Sequence, residues 1–251
     1  KVDEVVEIEL VNYFIKGNIE LTKVDADYPD NKLTGAVFEV YADTNGNGEF
    51  DKDDELCGEM TELEGGVYQM TELRYGKYFV REKTASDGFV LDDGVYGVSI
   101  EENGKTYTVE NKAGVGFIND AQKGSLKIVK TSSDGKVEGF SFRVTSADGY
   151  DQTFKTDKNG EIFIEGLRIG EYTVSEVSDS ASAGYILPAD KQATVKTDST
   201  TIVEMHNEFR DTPKTGDDFN LGLWVSLAAA SVIGAGVLGF VGFKKKKKGD
   251  R

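Results

Sequence analysis

A lysine, a glutamate and an asparagine recur in the same order in two stretches of the sequence, and these types suit covalent chemistry. The lysines have apolar neighbours in a first strand, the glutamates lie in a central strand and the asparagines in a last strand: Lys23, Glu82 and Asn119, then Lys130, Glu176 and Asn207. Burial favours neutral amines and protonated carboxyls, which serve as nucleophile and general acid. Buried ion pairs, or lysines reaching the surface, would use the same residues without chemistry.

These residues lie in two copies of one repeat. Gly17–Lys23 matches Gly124–Lys130 at an offset of 107 residues, and Leu73–Glu82 matches Leu167–Glu176 at an offset of 94. Short alternating strands, Gly- and Asn-rich turns, and no helical periodicity before residue 220 are typical of an all-β chain. We therefore predict two tandem antiparallel sandwiches with Greek-key connections. With no Pro- or Ser-rich linker between the copies, a stiff rod is expected.

Each copy resembles the B-type repeat of collagen adhesins and related pilin domains. The matching segments are Leu21-Thr22-Lys23-Val24-Asp25, Tyr78-Phe79-Val80-Arg81-Glu82 and Phe117-Ile118-Asn119. The resemblance implies prealbumin- or immunoglobulin-like domains, each closed by an isopeptide bond between its lysine and its asparagine with help from its glutamate. Asn12 precedes Lys23 by 11 residues, as Asn119 precedes Lys130, and is interpreted as the bond-forming asparagine of a preceding domain.

The first residues indicate a piece of a longer precursor. Val5–Val11 alternates like a strand already in progress, and no signal peptide is recognised. The predicted organisation has five parts: the last strand of a truncated domain (1–16), a B-type sandwich with an acidic insertion (17–121), a second B-type sandwich (122–210), a sorting motif (211–216), and a membrane helix with a basic tail that is removed on anchoring (217–251).

The C-terminal region has the order of a membrane anchor. Leu221–Phe243 is 23 residues without a charge, enough for a helix of about 34 Å that spans a hydrocarbon core of about 30 Å. Lys244–Lys248 follows at once, as the positive-inside rule expects on the cytoplasmic side.

A pentapeptide before the apolar span adds a processing signal. Thr212-Pro213-Lys214-Thr215-Gly216, the span and the basic tail together resemble the LPxTG cell-wall sorting signal of Gram-positive surface proteins. The resemblance implies that a sortase cuts between Thr215 and Gly216 and transfers Thr215 to an amine of peptidoglycan or of another pilin subunit. The first position departs from the pattern, because it is Thr212 instead of Leu. A permanent single-span anchor is the alternative.

The insertion in the first copy has the spacing of a calcium loop. Oxygen ligands stand at positions 1, 3, 5, 7, 9 and 12 of a 12-residue segment, the seventh through its backbone carbonyl: Asp43, Asn45, Asn47, Glu49, Asp51 and Asp54. The last ligand is Asp where calcium loops favour Glu. An acidic Asn-Gly hairpin tip is the alternative.

Composition excludes some classes of protein. The net charge of −16 disfavours nucleic-acid binding. A single cysteine, Cys57, permits no internal disulfide and is predicted to be a small core residue. The only histidine, His206, is predicted to lie on a strand surface.

The sequence therefore predicts a structural stalk or pilin-like segment rather than an enzyme. It would be secreted, displayed at the cell surface, linked to the wall by sortase, and in the membrane only before cleavage. No cofactor is required, calcium being the one expected ligand. Modules that bind a host extracellular-matrix or cell-surface ligand directly are the alternative. An enzyme with its catalytic domain upstream is a third option, since these modules show no nucleophile–base arrangement.

Overall fold

The computed structural model describes residues 8–210, which contain seventeen strands and one 3-10 turn (Glu64–Gly66). The first repeat, domain 1, contains nine of these strands: β1 (Lys16–Asp25), β2 (Val37–Ala42), β3 (Glu55–Glu59), β4 (Thr61–Glu62), β5 (Val67–Arg74), β6 (Gly76–Thr84), β7 (Val95–Ile100), β8 (Thr106–Thr108) and β9 (Phe117–Asn119).

The second repeat, domain 2, contains the remaining eight strands: β10 (Lys123–Ser132), β11 (Ser141–Ser146), β12 (Asp151–Lys155), β13 (Glu161–Arg168), β14 (Gly170–Glu176), β15 (Tyr185–Ile186), β16 (Lys191–Val195) and β17 (Thr200–Phe209). The all-β prediction is confirmed for the described residues.

Each domain is built from sheets with corresponding strands. In domain 1 one sheet has the order β4-β5-β1-β8, with β9 also pairing β1, and the other has the order β3-β2-β6-β7. In domain 2, β10 pairs with β13 and β17, and the other sheet has the order β12-β11-β14-β16. The first strand of each repeat is therefore central in its sheet.

The first and last strands of each domain run parallel, whereas we predicted antiparallel sandwiches. β1 pairs parallel with β8 and β9, and β10 pairs parallel with β17. The pairs β1–β5, β4–β5, β2–β3, β2–β6, β6–β7, β10–β13, β11–β12, β11–β14 and β14–β16 are antiparallel. A parallel pair lets the chain enter a domain at one end and leave it at the other, which suits modules joined in series.

The core of domain 1 forms on the alternating inner face of β1. Ile19 and Leu21 are fully buried there, and Lys23 is the next residue of the same face. Phe38 packs edge-on against Phe117 with ring centroids 4.9 Å apart. Each such buried apolar side chain contributes about 1.5–3 kcal/mol, so the lysine is held in place by the core around it.

A repeated glycine allows two backbone segments to approach closely beside the first strand. Gly66 and Gly160 have φ values of 69° and 79°, where a residue with a Cβ is strained. A Cβ at Gly66 would also lie 2.7 Å from the Leu33 carbonyl oxygen, and one at Gly160 would lie 2.7 Å from the Lys130 carbonyl oxygen. Both glycines thus lie against the backbone of the first strand near Lys23 and Lys130.

A repeated tyrosine fixes the turn between two strands. The Tyr78 hydroxyl donates to the Arg74 carbonyl oxygen at 2.8 Å, and the Tyr172 hydroxyl donates to the Arg168 carbonyl oxygen at 3.0 Å. A tyrosine that ties its own strand to the preceding turn is the device of the tyrosine corner in β-sandwiches. This accounts for the repeated Leu-Arg-x-Gly-x-Tyr pattern.

The prediction that Cys57 is a core residue is wrong, because its side chain is exposed. Val40 pairs with Gly58 and Tyr41 pairs with Leu56, so Cys57 is the extra residue of a bulge. A one-residue bulge shifts the inside–outside alternation. The surrounding protein still removes part of the water around the Cys57 thiol and raises its pKa. A raised pKa disfavours the reactive thiolate.

Contacts divide the chain into two units. Residues 8–183 and 187–208 lie in the first. Gly184–Ile186 and residues 209–210 lie in the second, where the Arg210 N–H donates to the Gly184 carbonyl oxygen at 2.7 Å. No helix within residues 8–210 is long and apolar enough to cross a membrane. The predicted span Leu221–Phe243 and the sorting motif lie outside the described residues.

Candidate isopeptide sites

The site in domain 1 is assembled from both of its sheets. Lys23 lies in β1, Asn119 in the parallel neighbour β9, and Glu82 in β6 of the other sheet. Phe117 is the register partner of Lys23 and Asn119 that of Asp25. Lys23 and Asn119 are therefore diagonal neighbours on one face, within reach of a long side chain.

The three side chains of domain 1 meet in a fully buried space. Lys23 Nζ lies 3.2 Å from Glu82 Oε1, and both side chains have no exposed surface. Asn119 Nδ2 donates to both Glu82 carboxyl oxygens, at 2.9 and 2.8 Å. Asn119 Oδ1 is buried without a hydrogen-bond partner among the described residues, whereas Lys23 Nζ has its ion pair with Glu82. Unsatisfied buried polar groups cost about 1–3 kcal/mol each, so this arrangement needs an explanation.

Burial dominates the electrostatics of the Lys23 amine. Desolvation lowers the pKa of Lys23, against the opposing attraction of Glu82 and Asp92. The rings of Phe117 and Phe38 lie 4.8 and 5.9 Å from Nζ and exclude water on that side. A lowered pKa increases the fraction of the neutral, nucleophilic amine.

Domain 2 places its three residues in the same way. Met205 is the register partner of Lys130, and Asn207 is that of Ser132. Asn207 Nδ2 donates to Glu176 Oε1 at 2.6 Å. Asn207 Oδ1 and Glu176 Oε2 are buried without a hydrogen-bond partner within residues 8–210. The glutamate and asparagine are thus hydrogen-bonded in both domains, and Lys130 is the diagonal neighbour of Asn207 in register as Lys23 is of Asn119.

The amine of domain 2 differs in its contact. Lys130 Nζ donates to the Thr131 carbonyl oxygen at 2.6 Å and lies 4.4 Å from the centroid of Phe140. Burial lowers the pKa of Lys130. Burial also raises the pKa of Glu176, against the hydrogen bond from Asn207 and the charge of Lys130. Both shifts favour the neutral forms of the pair.

A polar network around the first site was missed by sequence reasoning. The Asp92 N–H donates to Glu82 Oε2 at 2.8 Å, and Asn111 Nδ2 donates to Asp92 Oδ2 at 2.6 Å. Asn111 also pairs with both backbone groups of Ile118, accepting from its N–H at 2.6 Å and donating to its carbonyl oxygen at 2.8 Å. Ile118 adjoins Asn119, so Asn111 links the positions of the glutamate and the asparagine.

The Asp92 carboxylate is held in its charged form. Burial alone would raise the pKa of Asp92, but hydrogen bonds from Asn111, the Gly94 N–H and Tyr96 hold it below its usual value. Burial and the hydrogen bond to Asp92 raise the pKa of Tyr96 to about 12. Because the repeat comparison located the site residues, a network present in one copy gave no signal.

The predicted calcium loop lies between β2 and β3 and forms a closed set of hydrogen bonds. Asp43 accepts from the Gly46 and Gly48 N–H groups at 2.7 and 2.9 Å. Asp51 accepts from the side-chain amides of Asn45 and Asn47 at 3.1 and 2.7 Å.

The rest of the loop is closed in the same way. The Glu49 N–H donates to Asn47 Oδ1 at 2.7 Å, and the Asp51 N–H donates to Asp54 Oδ2 at 2.8 Å. Within residues 8–210, no group of three or more His, Cys, Asp or Glu side chains is placed to hold a metal ion. Calcium binding by this loop stays a prediction.

The remaining predicted residues lie apart from both sites. Asn12 is exposed and outside any strand. His206 is exposed on β17, as predicted, and contacts Thr131 Oγ1 at 2.8 Å. The sorting residues Thr212, Pro213, Lys214, Thr215 and Gly216 fall outside the described residues.

Several solved structures of other proteins are similar to this chain. The Bacillus anthracis TIE protein matches 78% of this chain with a TM-score of 0.58 and 24% identity, and the chain spans 34% of that protein. The C-terminal fragment of the pilus adhesin SpaC from Lactobacillus rhamnosus GG matches 78% of this chain and 98% of its own length, with a TM-score of 0.48 and 13% identity.

GBS52, the minor pilin of Streptococcus agalactiae, matches 80% of this chain and 100% of its own length, with a TM-score of 0.37 and 16% identity. No curated protein sequence matches this chain. The family model of the SpaA prealbumin-like fold domain matches residues 17–113 and 124–209, which is more than half of the chain. The chain therefore belongs to the SpaA prealbumin-like fold domain family, with one such domain in each repeat.

Proposed function

We propose that the chain is a structural stalk of the pilin type whose two domains are each closed by a Lys–Asn isopeptide bond. The observation that carries this proposal is the same in both domains. In each domain a buried glutamate accepts from the asparagine amide, and a buried lysine is the diagonal neighbour of that asparagine. The carbonyl oxygens of Asn119 and Asn207 are buried with no hydrogen-bond partner among the described residues. A reactive site accounts for such groups better than an ion pair would, because a stable pair satisfies them.

The reaction exchanges one amide for another. The neutral lysine Nζ attacks Cγ of the asparagine. The glutamate, acting as general acid and base, gives a proton to Nδ2 and takes one from the attacking amine, so its own protonation is unchanged at the end. The Cγ–Nδ2 bond breaks as the Nζ–Cγ bond forms, and ammonia leaves. Asn119 Nδ2 and Asn207 Nδ2 already donate to their glutamates, which suits this transfer to the leaving group. Each domain reacts once, so the chain is not an enzyme that turns over.

The stalk role follows from where the bonds would lie. Each bond joins the first strand of a domain to its last, so the fold is closed covalently near the points where the chain enters and leaves. The chain has one cysteine and cannot form an internal disulfide. An isopeptide bond would supply the cross-link that small extracellular domains need. Fold similarity to a pilus adhesin fragment and a minor pilin accompanies this proposal without carrying it.

We extend the proposal to the cell surface through the sequence signal alone. A sortase would cleave between Thr215 and Gly216 and join Thr215 to peptidoglycan or to another pilin subunit. The chain would then be secreted, anchored to the wall and free of its apolar C-terminal segment. Direct binding of a host ligand gains no specific support from residues 8–210.

The intact mass of denatured recombinant residues 8–210 tests the isopeptide bonds. Each bond expels one ammonia, about 17 Da, so two bonds predict a deficit of about 34 Da. Lys23→Ala and Lys130→Ala should each abolish about 17 Da of that deficit, and Glu82→Gln and Glu176→Gln should prevent the bond of their own domain only. An unmodified mass in the unsubstituted chain would sink the proposal.

A further inference from the structure

The junction between the two domains is held by two basic residues of domain 2 and two acidic residues of domain 1. Arg168 binds Asp25 through two nitrogens, at 2.7 and 2.8 Å, and Asp27 at 3.0 Å. Lys123 Nζ lies 3.0 Å from Asp27 Oδ2. We call Lys123 and Arg168 the basic head of domain 2, and Asp25 and Asp27 the acidic tail of domain 1.

The junction has the features of a built contact. The Asp25 side chain is 2% exposed and its partner Arg168 is 23% exposed, and planar bidentate pairing is the strong form of this interaction. The Arg168 guanidinium also lies over the rings of Tyr28 and Phe89, at 4.9 and 5.8 Å from their centroids. The two domains therefore meet through charge pairing and ring stacking together.

Domain 1 has a basic head of its own at the equivalent positions. Lys16 pairs across the strands with Arg74 in β1 and β5, just as Lys123 pairs with Arg168 in β10 and β13. The register shift that follows each pair is also the same. The repeat thus reproduces the residues and the geometry that place them at one end of the domain.

The chain enters both domains in the same way. The Ile169 N–H donates to the Gln122 carbonyl oxygen at 3.1 Å, and the Tyr75 N–H donates to the Ile15 carbonyl oxygen at 2.9 Å. Gln122 immediately precedes Lys123, and Ile15 immediately precedes Lys16. The segment before Lys16 is therefore held by the same kind of backbone hydrogen bond as the connection between domains 1 and 2.

The head of domain 1 differs from that of domain 2 in what it contacts. Arg74 is exposed, and no ion pair joins it to a carboxylate of residues 8–210. The ring of Phe14, itself 66% exposed, lies 4.4 Å from the Arg74 guanidinium. Lys16 pairs with Glu72 at 2.7 Å, with side chains 42% and 72% exposed. Such a surface pair contributes about 0–1 kcal/mol, so a buried acidic partner can displace it.

We propose that Lys16 and Arg74 form a docking surface for another prealbumin-like module that carries an Asp-x-Asp pair at the end of its first strand. The junction between domains 1 and 2 indicates which module would bind, because the equivalent basic head of domain 2 binds Asp25 and Asp27 there. The segment that would lead to that module exposes apolar side chains, with Leu10 at 87% and Tyr13 at 88%. Docking of a module there would cover such surface.

The same logic gives the stalk a direction. Domain 2 carries Ser132 and Asp134 at the positions of Asp25 and Asp27, so its end lacks the carboxylate that binds arginine in two places. A basic head would accept modules with the full acidic tail and reject a copy of domain 2. This inference rests on the proposed stalk function and names the partner of its exposed end.

A three-module chain tests the proposal. An additional copy of residues 16–122 is fused before Lys16 of residues 16–210, so that the connection repeats the one before Lys123. Cys57, exposed and single in each copy, takes a spin label, and electron–electron distance measurements report the two labels. Docking predicts one narrow distance distribution. Arg74→Glu together with Lys16→Glu in the second module should broaden it, as should Asp25→Ser in the added module.

Charge exchange and a matched control complete the test. Asp25→Arg and Asp27→Lys in the added module should restore a narrow distribution to the Glu-substituted partner. Lys112→Glu, an exposed charge reversal away from the head, should leave the distribution narrow. A distribution that is broad in the unsubstituted chain, or indifferent to these substitutions, would overturn the docking surface. The intact mass of the same samples reports the isopeptide bonds separately, so failure of one proposal is not mistaken for failure of the other.

Discussion

The last strands of the two domains pair with the first strands in different ways. In domain 2, β17 is continuous and pairs with β10 over eight consecutive residues, from Ser125 to Ser132. In domain 1 the equivalent pairing is split between β8 and β9, and residues 109–116 leave the sheet between them. The diagonal placement of lysine and asparagine is nevertheless the same, so the register at this end of the first strand is preserved although the last strand is interrupted.

A side chain restores that register in domain 1. The amide of Asn111 pairs with both backbone groups of Ile118, as a neighbouring strand would. Through Asp92 the same amide is connected to Glu82. Domain 2 places Asn207 by the continuous backbone pairing of β17 with β10, and its lysine amine binds the Thr131 carbonyl oxygen. The comparison teaches that one placement of lysine and asparagine can be fixed either by a continuous strand or by the side-chain hydrogen bonds of Asn111, which we call the pin.

Removing each bond separately should give the largest effect. Lys23→Ala or Lys130→Ala opens a closed loop of nearly a whole domain, and closure of about 100 residues contributes about 4–5 kcal/mol. We expect calorimetry to show one transition shifted down by tens of degrees and the other nearly unchanged. The conservative controls Asn119→Asp and Asn207→Asp keep the side-chain shape. A melting profile that is the same with and without the bonds would contradict covalent closure.

Asn111→Ala should slow formation of the isopeptide bond in domain 1 and leave its rate in domain 2 unchanged. Loss of the pin displaces β9 and the Asp92 loop, and misplacement of reacting groups slows reactions by about 10- to 100-fold. A time course of intact mass after refolding should show slow ammonia loss for the domain 1 bond and an unchanged rate for the domain 2 bond.

Asn103→Ala is a matched control, since its exposed side chain accepts the Lys16 N–H at the start of β1, away from Lys23. If Asn111→Ala slows both bonds equally, or neither, the pin is not what distinguishes the domains.

Calcium should stabilise domain 1 alone, because domain 2 has only a short turn where domain 1 has the acidic loop. With a Kd on the order of 1 mM, 10 mM calcium would add about 1.4 kcal/mol. Calorimetry with calcium and with a chelator measures this, and Asp51→Ala should abolish the shift. Equal shifts in both transitions, or a shift that survives Asp51→Ala, would exclude the loop as the site.

The smallest effect concerns the junction, which should loosen in acid while both domains stay folded. Hydrogen bonds from Arg168 hold the pKa of Asp25 below its usual value despite burial, and Lys123 does so for Asp27. Depressed carboxyl pKa values give stability above the unfolded value of about 3.9 that is lost as pH falls through the folded values. Chemical shifts of Tyr28 and Phe89 should therefore change below about pH 4. Arg168→Lys should move this change to higher pH, and a junction insensitive to both pH and Arg168→Lys would contradict the charge pairing.

The repeat made the triads predictable, and their surroundings were not. Because two copies share lysine, glutamate and asparagine in one order, internal comparison found residues that lie far apart in sequence. Asn111 has no counterpart and escaped that comparison. Cys57 was assigned to the wrong face because a bulge shifts the alternation, and alternation alone cannot reveal an extra residue. Parallel pairing of first and last strands was also unexpected, since strand direction depends on the whole path of the chain.

The parallel pair of first and last strands determines where tension would travel. With the bond formed, a pull on Lys16 would run along β1 to Lys23, cross to Asn119 and continue toward Lys123. Residues 24–118 would lie outside that path, so they would bear no tension and would remain folded. The acidic loop between β2 and β3 and the excursion at residues 109–116 both belong to this slack region. Because insertions in this region would bear no tension, a stalk module with such a bond can acquire them without lengthening under force.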